Sequence, residues 1–126
     1  MTRLPAPIED VEQRLFVSWL RTMGLPCFRV PNETYTKSWS QKNKNKALGV
    51  SAGVPDLFVA IEGVGLIGIE MKRTHGSVTS QAQKDWQAIL NKCPGVQVHI
   101  CKGADAAIEV IESYLPDIRK QVGRIF

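Results

Sequence analysis

Apolar residues near the start of the chain recur at spacings of three and four, a pattern typical of one buried face of an α-helix. Pro7 suits a first helical position, and Gly24 supplies a stop. The pattern therefore predicts a helix over residues 8–23. A short strand over residues 27–30 should follow it, because prolines flank this segment on both sides.

The rest of the chain alternates between strand and helix patterns. Apolar runs at residues 57–61 and 66–72, joined by a glycine-containing turn, predict a β-hairpin. Ser80 and Gln83 have the spacing of a capping box and begin a predicted helix over residues 81–92. The buried face of that helix should comprise Trp86, Ile89 and Leu90. Alternating apolar residues predict a strand over residues 96–100 with His99 facing outward, and a last helix should span residues 104–115.

This order of elements predicts an α/β fold with the order αβββαβα. A hairpin followed by a helical crossover and another strand implies a mixed β-sheet with helices on both faces. The length of 126 residues suits a single domain, residues 1–126, with a core over about 8–115. The first ten residues lack the apolar segment of a signal peptide, and no apolar run is long enough to span a bilayer. We therefore expect a cytoplasmic protein with no membrane partner.

Positive charge is concentrated in one segment of the chain. The net charge is +4, and residues 29–48 contain the whole excess. Its basic residues are Arg29, Lys37, Lys42, Lys44 and Lys46. Polar composition predicts an irregular loop here, in which clustered cations would contact phosphates. The alternative is a solvated loop whose lysines only maintain solubility. The three cysteines have no metal-ligand spacing and are expected to be reduced and mostly buried, as small hydrophobic residues.

Three charged residues point to chemistry at one edge of the hairpin. Strand alternation places Glu70 and Lys72 on the same face, and Asp56 begins the strand that pairs with theirs. Two carboxylates beside an ammonium form a hard-oxygen site suited to Mg²⁺ or Mn²⁺. The alternatives are a structural ion pair or a solvated strand end.

At these residues the sequence resembles the VRR-NUC branch of the PD-(D/E)XK nucleases. This branch includes small stand-alone phage and bacterial enzymes and the C-terminal nuclease domain of the Fanconi-associated nuclease. The resemblance covers residues 9–115 and rests on the stretches GVPDLFVAI, LIGIEMKR and TSQAQKDWQAIL. Glu9-x-x-x-Gln13 and Pro31-Asn32-Glu33 add to it. It implies a restriction-endonuclease-like core and a single nuclease domain.

The resemblance assigns roles to individual residues. The implied catalytic set is Glu9, Asp56, Glu70, Lys72 and Gln83. Asp56 and Glu70 would be the metal ligands, joined by the main-chain carbonyl of Met71 and by Glu9, directly or through water. Glu12, one helical turn from Glu9, is the rival for the helix carboxylate. Lys72 would orient the attacking water or place its charge on the developing phosphorane.

The resemblance also implies an activity, a cofactor and partners. The chain would be an endodeoxyribonuclease dependent on Mg²⁺ or Mn²⁺, with one or two ions and no organic cofactor. Its substrate would be branched DNA such as a four-way (Holliday) junction, cut by a homodimer to leave a 5′-phosphate. The DNA contacts would be Lys37, Lys42, Lys44, Lys46, Arg73 and Lys84. The alternatives are a non-catalytic nucleic-acid-binding module of the same fold and a partner-binding domain.

Overall fold

The computed structural model describes residues 8–31 and 38–115. Lys37, one of the predicted DNA contacts, lies outside the described residues. The elements are, in chain order, α1 (Ile8–Thr22), β1 (Cys27–Arg29), α2 (Trp39–Ala47), β2 (Leu57–Ile61), β3 (Gly65–Lys72), α3 (Gln81–Leu90), β4 (Val96–Lys102) and α4 (Ala104–Tyr114). Seven of them confirm the predicted elements to within two residues at each end.

The eighth element, α2, corrects the prediction of an irregular loop. Ser38 caps this helix, because its hydroxyl accepts a hydrogen bond from the N–H of Gln41. One turn on, the Gln41 amide donates to the side chain of Asn45 at 2.8 Å. Lys44 and Lys46 occupy the last turn, where the helix dipole favours cations. No residue of α2 is buried, so local interactions stabilise this helix. Because it has no apolar face, hydrophobic periodicity does not predict it.

The four strands form one mixed sheet in the order β1-β2-β3-β4. The pairs β1–β2 and β2–β3 are antiparallel, and β3–β4 is parallel. One face of the sheet packs against α1 and α4, where Phe16, Leu20 and Ile111 are fully buried. The strand residues in this core are Leu57, Val59, Ile61, Ile67, Ile69, Met71 and Cys101. Alternation along β3 therefore turns Glu70 and Lys72 toward the opposite face.

The helix α3 lies along the free edge of β4. The main-chain N–H of Val98 donates to the Asn91 side chain at 2.6 Å, so this edge position is not open for pairing with another strand. None of the residues of α3 is fully buried. Trp86 and Leu90 are half-buried, as the predicted inner face requires, but Ile89 is 55% exposed. The prediction was wrong for Ile89 because the inner face is rotated toward Ala82 and Gln83.

The predicted outward orientation of His99 is also wrong. Its register partner is Ile69, a core residue, so His99 lies on the face that α4 covers. There its Nε2 is hydrogen-bonded to the hydroxyl of Tyr114 at 2.6 Å. The three cysteines are free thiols, as predicted, but the expectation that most are buried is wrong: Cys101 is buried, Cys27 is half-buried and Cys93 is exposed. Within the described part of the chain, no helix is long and apolar enough to cross a membrane.

Candidate active site

A small polar cleft lies where β2 begins and β3 ends. Its volume is about 130 Å³. The cleft is lined by Glu9, Gly53, Val54, Asp56, Glu70, Lys72 and Gln83. All five side chains that the sequence suggests for catalysis are among them. The structure therefore brings together residues from α1, the segment before β2, β3 and α3.

Strand register explains why Asp56 and Glu70 meet. Leu57 is paired with Ile69, so the next position outward places Asp56 opposite Glu70. The main-chain carbonyl of Asp56 accepts a hydrogen bond from Val30 at 2.7 Å, which ties this segment to the end of β1. The two carboxylates are thus positioned by main-chain pairing on both sides of β2.

Glu70 and Lys72 are buried although both carry ionisable groups. Their exposed fractions are 7% and 9%. A solvated strand end is therefore the wrong interpretation for these two residues. Burying charge costs free energy unless opposite charges, hydrogen bonds or a metal compensate it. The carboxylate of Glu70 and the ammonium of Lys72 share one face of β3 and line the same cleft, so their opposite charges can compensate each other there.

The main-chain carbonyl of Met71 is directed toward the side of β3 on which Asp56 lies. The carbonyl of the next residue, Lys72, accepts a hydrogen bond from Gly103, beyond the end of β4. Successive carbonyls of a strand point in opposite directions, so that of Met71 is directed toward the β2 side. The strand β2 begins at Leu57, opposite Ile69, and does not extend as far as Met71.

Gln83 has a structural contact in addition to its place in the cleft. Its side-chain oxygen accepts a hydrogen bond from the N–H of Ser80 at 3.0 Å, and its own N–H donates to the Ser80 hydroxyl at 3.1 Å. This is the predicted capping box. It fixes the Gln83 side chain at the N-terminus of α3, with the amide group at the wall of the cleft.

Gly53 allows α3 to approach the cleft closely, a role that the sequence analysis missed. Its φ is +90°, and a Cβ atom there would lie 2.5 Å from the carbonyl carbon of Ala82. Any side chain would therefore push the start of α3 away from the loop before Asp56. The signal in the sequence is a glycine two residues before the Pro55-Asp56 pair, within the stretch that carries the family resemblance.

The two candidate helix carboxylates have different environments. Glu9 lines the cleft. The carboxylate of Glu12 instead accepts a hydrogen bond from the N–H of Ala104, at the start of α4. That helix begins after Gly103, which offers no side-chain cap of its own. The geometry thus favours Glu9 as the residue available to a ligand in the cleft.

None of the predicted DNA-contacting cations that the structure describes lines the cleft. Lys42, Lys44 and Lys46 are exposed on α2, and Lys84 is exposed next to Gln83 on α3. Lys42 also lies over the ring of Trp39, with its Nζ 5.5 Å from the ring centre. Arg73 is half-buried, and its guanidinium donates to the carbonyl of Gly76 at 3.2 Å within its own loop.

The donor set of the cleft suits a hard divalent cation. Mg²⁺ is commonly bound by one or two carboxylates, with water and substrate phosphate completing its coordination. Asp56, Glu70 and the Met71 carbonyl offer such a set. In residues 8–31 and 38–115, no group of three or more His, Cys, Asp or Glu side chains could hold a metal ion by itself. A metal here would therefore need ligands from solvent or substrate as well.

The fold and the cleft together define an α/β domain with a polar, carboxylate-containing site at one edge of a mixed sheet. Residues 9–105 match the model of the VRR-NUC domain family. The chain is also similar to a solved structure described as a VRR_NUC domain protein, with 28% identity and a TM-score of 0.69. That similarity covers 90% of this chain and 92% of the other. No curated protein matches the chain.

The match to the family model covers well over half of the chain, and it includes every residue that lines the cleft. The chain therefore belongs to the VRR-NUC domain family, whose domain is of the nuclease type. DNA is the substrate that a nuclease domain of this kind implies.

Proposed function

We propose that the protein is an endodeoxyribonuclease that depends on Mg²⁺ or Mn²⁺ and hydrolyses phosphodiesters in branched DNA. The observation that carries this proposal is the convergence of Asp56, Glu70 and Lys72 in one small polar cleft. Their combination suits phosphodiester hydrolysis because the carboxylates can bind a divalent cation while the ammonium attracts the phosphate. A non-catalytic DNA-binding module would gain nothing from carboxylates beside a phosphate.

Four side chains of the cleft have roles in this proposal. Asp56 and Glu70 would hold the metal with the Met71 carbonyl, and Glu9 would contribute directly or through a water. A bound Mg²⁺ or Mn²⁺ supplies Lewis acidity, which lowers the pKa of a coordinated water and offsets phosphate charge. Lys72 places its ammonium where negative charge develops on the phosphate. Water loses a proton as its oxygen adds to phosphorus, the P–O3′ bond breaks, and the departing O3′ takes up a proton, which leaves a 5′-phosphate and a 3′-hydroxyl.

The helix α2 provides phosphate contacts beside the cleft. It is joined to Asp56 by only a short segment, residues 48–55, so its lysines can reach DNA bound at the cleft. Lys42 and Lys46 are one turn apart and share a face, whereas Lys44 lies on the other side of the helix. Replacing Lys42 and Lys46 by Gln should therefore lower the salt dependence of DNA binding more than replacing Lys44 does. Equal or absent effects would contradict a contact through one face of α2.

The proposal also specifies branched DNA as the substrate and a homodimer as the form that cuts it. Each chain carries one cleft, and paired cuts in opposite strands of a junction need two clefts in fixed relation. The family resemblance supports this arrangement, and cytoplasmic DNA would supply the substrate. The molar mass measured by light scattering should correspond to two chains.

The test of this function is a cleavage assay with Mg²⁺ or Mn²⁺ on a four-way junction, a flap, a duplex and a single strand. Asp56→Ala and Glu70→Ala should abolish cleavage and retain DNA binding, because the lost charges repel phosphate. EDTA should stop cleavage by the parent protein. Asp105→Ala is the matched control, since it removes an exposed carboxylate at the start of α4 that does not line the cleft.

Three outcomes would change the proposal. Cuts confined to flaps or ends would replace the junction as substrate. Salt-sensitive DNA binding without cleavage by either metal would favour the non-catalytic binding module. Full activity of the Asp56→Ala protein would place the metal site elsewhere in the chain.

A further inference from the structure

A second and much larger groove runs between α1 and the edge strand β1. Its volume is about 620 Å³. The groove is lined by Asp10, Gln13, Arg14, Val17, Ser18, Arg21, Thr22 and Arg29. We call it the arginine groove. It lies along the length of α1, and none of the lysines of α2 lines it.

The chemistry of the arginine groove suits a phosphate-bearing ligand. Arg14, Arg21 and Arg29 are all exposed, and each can donate two parallel hydrogen bonds to phosphate oxygens. Among the described lining residues, Asp10 is the only acidic one. Gln13 adds a polar side chain, so the groove combines a positive charge with neutral hydrogen-bonding groups.

Both walls of the arginine groove begin next to the cleft that contains Asp56 and Glu70. On α1, Asp10 directly follows Glu9, which lines the cleft. On β1, Arg29 is paired with Leu57, the residue after Asp56. Each wall of the groove therefore has one end next to residues of the cleft, in sequence on α1 and in strand register on β1.

The spacing of the arginines suits an extended polyanion better than one small anion. Arg14 and Arg21 are separated by two helical turns, or about 10 Å along the axis. A duplex strand carries a phosphate roughly every 3.4 Å along its axis. The two arginines thus span about three nucleotides of one strand.

We propose that the arginine groove binds the phosphodiester backbone of the substrate strand that leaves the active cleft along α1. This inference rests on the proposed function, because it assumes that DNA occupies the cleft. It adds a second phosphate-binding surface, with Arg14, Arg21 and Arg29 as its contacts, to the one proposed on α2. The groove positions the DNA and takes no part in the chemistry.

The test measures DNA affinity against salt concentration in EDTA, so that cleavage does not interfere. The triple variant Arg14→Gln, Arg21→Gln, Arg29→Gln should lower the slope of log K against log salt by about 2 to 3, since each phosphate contact contributes about 0.9. The variant with lysine at all three positions should keep most of the slope. Thermal unfolding should show both variants folded, because the replaced side chains are exposed.

A single-charge comparison provides the matched control. Arg21→Gln and Lys92→Gln each remove one exposed positive charge, but Lys92 follows α3 near Gly95, which contacts the start of β3 at the end of the sheet away from the cleft. Arg21→Gln should lower the slope by about 1 through its phosphate contact, and Lys92→Gln should leave it nearly unchanged.

The outcomes separate this inference from the proposed function. If the parent cuts DNA and the triple glutamine variant binds with an unchanged slope, the groove is not a DNA contact while the nuclease assignment stands. Equal losses for Arg21→Gln and Lys92→Gln would also overturn the inference, since they would reflect net charge alone. If the parent neither binds nor cuts DNA, both proposals fail.

Discussion

The carboxylate of Glu12, in α1, accepts a hydrogen bond from the main-chain N–H of Ala104, 92 positions later at the start of α4. The first N–H groups of a helix have no partner within the helix, and an anion there also interacts favourably with its dipole. Glu12 therefore acts as the cap that Gly103 cannot supply. One turn earlier on α1, Glu9 faces the cleft instead.

Replacement of Glu12 should lower mainly the stability of the protein, whereas replacement of Glu9 should lower mainly its rate of cleavage. Glu12→Ala should lower the free energy of unfolding by about 1–2 kcal/mol, the usual cost of losing a helix cap. Glu9→Ala should leave stability nearly unchanged and slow metal-dependent cleavage. Urea denaturation and single-turnover cleavage of both variants would measure this. A stable Glu12→Ala protein that no longer cuts DNA would make Glu12 the site carboxylate.

The roles of these two glutamates could not be assigned from the sequence. Both occupy the same amphipathic helix, and residue type and spacing do not distinguish them. The distinction depends on the position of α4 against α1, which is a contact between distant parts of the chain. Asp56 and Glu70 were easier to place, because hairpin pairing and strand alternation act over short distances.

Residues in α2 and β4 show two further limits of predicting the structure from the sequence. The helix α2 lacks an apolar face, so hydrophobic periodicity does not reveal it. The cap and the side-chain pairs of α2 are visible in the sequence, but each stabilises a helix by only a fraction of a kcal/mol to about 1 kcal/mol. On β4, side chains of both faces are at least partly covered: Val98 and Ile100 on one face, and His99, against α4, on the other. Alternating apolar residues therefore do not mark which side is exposed, and His99 is placed on a covered face.

Variants at Gln83 should separate its capping contact from its place in the cleft. Gln83→Glu keeps an oxygen acceptor for Ser80 but replaces the amide by a negative charge, whereas Gln83→Ala removes both. We expect Gln83→Ala to lose about 0.5–1 kcal/mol of stability and Gln83→Glu to lose little. Cleavage should fall in both variants. Parallel denaturation and cleavage assays would measure this, and unimpaired cleavage by Gln83→Glu would remove Gln83 from the site.

Gly53→Ala should damage stability and activity together. The new Cβ would clash with the main chain of Ala82, which must shift and move Gln83 and Asp56 apart. Gly49→Ala is the matched control, because Gly49 also has a positive φ, +97°, but has nothing within 4 Å of the built Cβ. Gly49→Ala thus introduces only conformational strain, of order 1 kcal/mol. Denaturation and cleavage assays should show larger losses of stability and activity for Gly53→Ala than for Gly49→Ala. Similar losses in the two variants would contradict the predicted clash.

The environment of His99 predicts how stability depends on pH. Burial lowers the pKa of His99 from its ordinary value of 6.5. Its Nε2 is hydrogen-bonded to the hydroxyl of Tyr114, which in turn donates to the side-chain oxygen of Gln97. Because the folded state binds the proton less readily, the unfolded state carries more protons once the pH falls below about 6.5. Stability should therefore decrease as the pH is lowered through 6.5 and level off below the folded-state pKa.

Urea denaturation between pH 7.5 and 5.5 would measure this dependence, since carboxylates titrate mainly at lower pH. We expect the free energy of unfolding of the parent to fall across this range. His99→Gln should flatten the curve, because glutamine keeps a hydrogen-bonding side chain but does not titrate. His75→Gln, at an exposed loop position, should retain the slope of the parent. If His75→Gln flattens the curve and His99→Gln does not, the pH dependence arises at the loop and not from the burial of His99 against α4.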